Sequence, residues 1–169
     1  MAEVNIRRAR EGELEIIKKM SVQQTLLELD EYERQEKDRI EKEDVKRLEV
    51  FFKKEGNEFY VAEMGKDGEM AGYVWFGVSE RPFSGMKMGW IYDIEVLPSH
   101  RGKGVGEALM RHAMEVSKQR GFGQLGLMVN SKNRVALSLY EKLGFETEHQ
   151  IMTRLEGEPV STSKSYIRN

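Results

Sequence analysis

The stretch HRGKGVGEALMRH, from His100 to His112, alternates glycine with other residues and then turns directly into a helical pattern of apolar side chains. A glycine run between a strand and a helix lets backbone N–H groups approach an anion, and the helix N-terminus adds partial positive charge. Phosphate is the natural guest of such a loop. Two well-known phosphate loops fail on spacing. A nucleotide-triphosphate loop needs Lys-Ser or Lys-Thr after its last glycine, whereas Gly106 is followed by Glu107 and Ala108. The dinucleotide fingerprint needs two residues between its second and third glycines, but Gly102, Gly104 and Gly106 alternate strictly.

The rest of the chain supplies strands and helices around this loop. Periodicity predicts a strand over 4–9, an amphipathic helix over 11–29, and a second helix ending before Gly56 with Val45, Leu48, Phe51 and Phe52 on its apolar side. From Asp30 to Lys46 thirteen of seventeen residues are charged, eight acids against five bases, which reads as a solvated helix face. Residues 59–64 and 70–79 form a hairpin across GKDG, and the second strand, apolar on both parities, belongs in the centre of a sheet. A long strand over 86–97 leads into the glycines, followed by a helix stopped at Gly121. A short strand (125–129), a helix (133–143) and a final strand (145–155) complete the pattern. This order predicts an α/β (α+β) fold: one domain over 1–156, a mixed, mostly antiparallel sheet with helices on its faces, and a polar tail over 157–169.

Composition narrows the partners. A formal charge of -2 with 33% charged residues gives no basic field for nucleic acid. No apolar run reaches bilayer length and the N-terminus lacks an apolar signal core, so the expectation is a cytoplasmic protein with no membrane partner. Without cysteine there is no thiolate zinc site and no thiol nucleophile. His100, His112 and His149 show no metal-ligand spacing, and His112 falls in the apolar stripe of its helix, so no metal is expected.

What remains is Arg101-x-x-Gly104-x-Gly106, after the strand IYDIEVLP and before a helix. Together with VNSKNRVALSLYEKLGF, Val129 to Phe145, it resembles the GNAT superfamily of N-acetyltransferases. The downstream match is an asparagine, an alanine three residues on, a tyrosine four later, then Leu-Gly-Phe. The resemblance implies a sheet splayed near its middle and acetyl-CoA as co-substrate. It implies that the backbone of Ile94, Glu95 and Val96 holds the pantetheine arm like an added strand. The amides of Arg101, Gly102, Lys103, Gly104, Val105 and Gly106 would hold the diphosphate, with Arg101 and Lys103 either adding charge or standing as plain loop cations. Tyr140 matches the tyrosine that donates to the departing sulfur, with a core tyrosine as the competing reading. Asn133 touches the coenzyme, caps a helix, or both.

An amine nucleophile must lose a proton to act, so a base is required. Asp93 and Glu95 share one side of their strand, with Tyr92, Ile94 and Val96 expected opposite. Glu95 is the preferred base; Asp93, a water chain, or a purely structural role for either acid are the alternatives. The sequence therefore predicts transfer of an acetyl group to a primary amine, on a small molecule, a protein N-terminus or a lysine, by direct attack in a ternary complex. A non-catalytic acyl-CoA sensor is the rival, and a homodimer is compatible with the family.

Overall fold

The computed structural model describes residues 4–154 and 157. Among these residues five strands form one sheet in sequence order: β1 (Asn5–Arg8), β2 (Glu58–Met64), β3 (Glu69–Glu80), β4 (Lys87–Val96) and β5 (Leu125–Leu127). The first four pair antiparallel, and β5 pairs parallel to β4. The α-helices among the described residues are α1 (Glu11–Glu28), α2 (Lys37–Phe51), α3 (Val105–Gln119) and α4 (Arg134–Lys142).

The sheet is covered on both faces, as the two-sided apolar pattern of β3 requires. On one face Ile17 and Val22 of α1 and Leu48 of α2 close over Phe59, Val61, Tyr73 and Trp75. On the other, Val105, Leu109 and Met110 of α3 and Tyr140 of α4 pack on Tyr60, Val74, Phe76 and Ile91. The order of strands puts β3 in the middle, the place its composition predicts.

Helix starts follow local chemistry. The Glu13 carboxylate accepts a 2.7 Å hydrogen bond from the Arg10 amide, tying down the first turn of α1. The Arg7 guanidinium clamps both Glu13 oxygens at 2.7 and 2.8 Å and reaches Glu63 at 2.7 Å, joining β1, α1 and β2.

Three expectations need correction. The final strand over 145–155 is not formed among the described residues: 145–154 carry no strand, and 146–154 are exposed. The edge offered by β5 is three residues long, and the polar run Glu146 to Gln150 has no apolar alternation to bury, so pairing gains little there. Leu155 and, apart from Gly157, the predicted tail lie outside the described residues. Second, the charge run does not begin as α2. It opens with a turn and a 3-10 segment, Glu33–Glu36. Nor is it solvated throughout, because Asp44 is buried and paired with Arg47.

Third, Tyr92 does not oppose Asp93. A bulge falls at Tyr92: Trp75 pairs with Asp93, but the next β3 residue, Phe76, pairs with Ile91. The extra residue resets the alternation. Tyr92 thus joins the α1/α2 layer, 5.0 Å from the Trp75 ring, while Ile91 turns to the α3 layer.

Candidate active site

The bulge and the short β5 together open the sheet. β4 and β5 pair at Gly89, Trp90 and Ile91, and the register ends where Ile91 meets Leu127. From Asp93 to Val96, β4 keeps its β3 partner, and from Tyr92 onward it has no strand on its other side among the described residues. Its outward N–H and C=O groups form a ready template for an extended ligand. This gap stands where the family resemblance implies a splayed sheet.

The glycine loop stands at the end of that open edge. A short 3-10 turn, Pro98–His100, leads from β4 to Arg101. Gly102 and Gly104 then adopt φ of +74° and +84°, left-handed values that cost other residues energy. Gly104 is the N-cap of α3 and makes no side-chain cap. The first intrahelical bond runs from the Ala108 amide to the Gly104 carbonyl, leaving the amides of Val105, Gly106 and Glu107 without helical acceptors. Val105 is buried and anchors the helix start in the core. Gly106 has ordinary helical φ, so its role differs from that of Gly102 and Gly104. Arg101 folds back, its Nε donating 3.1 Å to the Val96 carbonyl. The loop therefore offers free donors, a helix N-terminus and no carboxylate cap, a set that suits a diphosphate.

Asp93 and Glu95 do share a face, the α1/α2 side, opposite Trp75 and Tyr73. Glu95 Oε2 is buried and has no hydrogen-bond partner. Burial and the Asp93 charge push the Glu95 carboxyl above its usual range, and Arg101 partly opposes them. A carboxyl shifted upward accepts a proton more readily than an ordinary one, the property a general base needs. Burial pushes the Asp93 carboxyl above its usual range, and hydrogen bonds oppose that push; the Tyr73 hydroxyl donates 2.6 Å to Asp93 Oδ2. Asp93 is thus a held group and Glu95 a free one.

Tyr140 is buried on α4, in the layer with Ile91 and Val74. Burial raises its phenol to about 12, with further pushes from Asp93 and Glu28. The proton stays on the oxygen at neutral pH, leaving a donor. Packing and proton donation are compatible: the ring packs in the core while Asp93 and Glu28 act on its hydroxyl. Asn133 caps α4, its Oδ1 accepting 3.1 Å from the Ala136 amide. Asn130 closes the preceding turn through the Lys132 amide at 2.9 Å.

The sequence did not single out Tyr73, Ser21 or Glu28, which surround the carboxylates. The missing information is the β3–β4 register, since a six-residue loop rather than a tight turn joins these strands and no turn type fixes the pairing. Of the histidines, His112 is partly buried against the Tyr60 ring at 4.4 Å, and burial lowers its pKa. His100 is buried, with Nδ1 2.9 Å from the Ser99 hydroxyl. Among the described residues no group of His, Asp or Glu is arranged to hold a metal ion, and no helix is long and apolar enough to cross a membrane.

Comparison with known proteins follows the same lines. The model of the acetyltransferase (GNAT) family matches residues 22–145. Streptothricin acetyltransferase of Streptomyces lavendulae is 43% identical over 82 residues, 48% of this chain and 41% of that protein. Mycothiol acetyltransferase of Saccharomonospora viridis is 36% identical over 92 residues, 53% of this chain and 30% of that protein. The chain spans less than half the length of these relatives. A solved Pyrococcus furiosus structure assigned as an acetyl transferase superposes with a TM-score of 0.75 at 29% identity, covering 91% of this chain and 100% of that one.

Proposed function

The chain belongs to the GNAT family of acetyltransferases, and from that membership we propose that it moves an acetyl group from acetyl-CoA to a primary amine by direct attack within a ternary complex. The observation that carries this reading is the unpaired β4 edge from Tyr92 to Val96 ending at the free amides of the α3 N-terminus. One linear molecule with an amide-bearing arm and a diphosphate fits both.

The thioester supplies an activated acetyl carbonyl. The backbone of Ile94, Glu95 and Val96 aligns the pantetheine arm, and the amides from Gly102 to Gly106 hold the diphosphate, the Arg101 amide being taken by the Pro98 carbonyl; the Arg101 and Lys103 cations add attraction. Glu95 accepts the proton released as the amine nitrogen bonds to the acetyl carbon. Tyr140 hydrogen-bonds the sulfur and supplies a proton as the C–S bond breaks. Asn133 acts through its cap, which fixes the start of α4 and hence Tyr140. Relatives named for streptothricin and mycothiol favour a small-molecule acceptor over a protein N-terminus or lysine.

The test is to supply acetyl-CoA with a broad amine panel and follow free thiol. Turnover with at least one amine is expected. Coenzyme binding without turnover of any amine would replace the enzyme reading with that of an acyl-CoA sensor.

A further inference from the structure

Tyr73 is fully buried in β3 and stands directly opposite Glu95 in the register. Its hydroxyl nevertheless serves the next pair along the same face, donating 2.6 Å to Asp93 Oδ2. Such a diagonal reach suits a long aromatic side chain between neighbouring antiparallel strands. A phenylalanine would fill the same space with no polar group to desolvate, so the buried hydroxyl is explained by the carboxylate it holds. Ser21, buried on α1, faces both groups and favours the ionised form of each.

We propose that Tyr73 is a positioning residue of the transfer reaction: by hydrogen-bonding Asp93 it favours the charge on that carboxylate rather than on Glu95, and so makes Glu95 a stronger acceptor of the amine proton. The inference rests on the reading of Glu95 as the base. Two neighbouring carboxylates out of bulk water do not ionise together readily, so holding one charged favours the proton on the other. Tyr73 bonds Asp93 and favours the charge there, whereas Glu95 Oε2 is buried with no hydrogen-bond partner and is open to the proton. The other groups acting on the cluster are Glu28 of α1, which opposes ionisation of Asp93, and Arg101, which opposes protonation of Glu95. Tyr140 of α4 feels Asp93 and Glu28 as well. Removing the Tyr73 hydroxyl leaves Asp93 with less support for its charge. Asp93 then takes the proton, and Glu95 ionises at lower pH.

The experiment is a carboxyl 13C NMR titration of the full chain labelled at glutamate, with the Glu95 signal assigned by its loss in Glu95→Gln. Tyr73→Phe and Asp93→Asn should each lower the apparent Glu95 midpoint by about one pH unit, a tenfold change in its proton affinity. The double variant should shift it no further than either single one, because both act through one charge. An unchanged midpoint in Tyr73→Phe, an upward shift, or additive shifts would overturn the proposal. A readout on the unaltered protein covers a misfolded variant: the Tyr73 ring ζ-carbon should respond across the Asp93–Glu95 titration, and a flat response would also overturn it. The amine panel remains the separate test of transferase activity, so failure of either is recognised without the other.

Discussion

Gly72 lies against the Glu95 carbonyl: a β-carbon at position 72 would stand 2.4 Å from that oxygen and 3.2 Å from the Val96 α-carbon. The neighbour is backbone, so it cannot swing away as a side-chain tip would. The close contact between β3 and β4 thus sets the position of the stretch of β4 that bears Glu95, the proposed base. Gly72→Ala should push the strands apart and cost about 1–3 kcal/mol of stability, the range for overpacking a tight site. Urea unfolding measures it, and an unchanged midpoint would mean that β4 is not held from this side.

Two glycines of the loop should answer differently. Gly104→Ala forces a side chain to φ +84°, at a cost of about 1–2 kcal/mol. Relief of that strain turns the amides at the head of α3, so affinity for coenzyme A should fall about tenfold, the equivalent of about 1.4 kcal/mol. In Gly106→Ala the new β-carbon meets Leu139 Cδ2 at 3.4 Å and Val96 Cγ2 at 3.5 Å. That is ordinary contact in a helical conformation, and affinity should stay within about twofold. Titration calorimetry on both variants makes the comparison.

Tyr140→Phe should keep coenzyme affinity and lower kcat by about a hundredfold, the usual size of a lost acid–base contribution. Because the phenol is pushed up to about 12, Tyr140 should impose no fall in rate on the alkaline side up to about pH 11. Steady-state rates with acetyl-CoA and an amine that turns over decide the matter; equal loss of kcat and of coenzyme affinity would assign Tyr140 to packing alone.

Acid stability should follow Glu13. The Arg7 guanidinium lowers the Glu13 carboxyl from 4.5 to about 2 in the folded chain. A depressed folded value gives stability that is present above the unfolded value and is lost as pH falls toward the folded one. Part of the wild-type stability should therefore disappear between about pH 4.5 and 2. Glu13→Gln should be less stable near neutrality and lose less across that window. Urea midpoints at pH 6 and pH 3 would contradict this if the two proteins fell in parallel.

Much of this was legible because it is written in local spacing. The glycines at 102, 104 and 106 announce a loop with positive φ and free amides, and two of the three adopt that φ. The double-sided apolar pattern of β3 places it centrally. The shared face of Asp93 and Glu95 follows from a period of two. Other features depend on long-range pairing. The bulge at Tyr92 follows from how β4 fits β3, and no residue at 92 demands it. Tyr73 meets Asp93 only through the register of strands joined by a loop. The expected last strand reads well in isolation, with Phe145, Ile151 and Leu155, but a strand needs an edge and β5 supplies little.

The open β4 edge and the α3 amides as the coenzyme cradle are tested most directly by amide hydrogen exchange with and without coenzyme A. Slower exchange is expected in two separate segments, Tyr92 to Val96 and Gly102 to Glu107, with little change in β1 or β2. Saturating coenzyme that left both segments unprotected, or protected only a surface elsewhere, would contradict it.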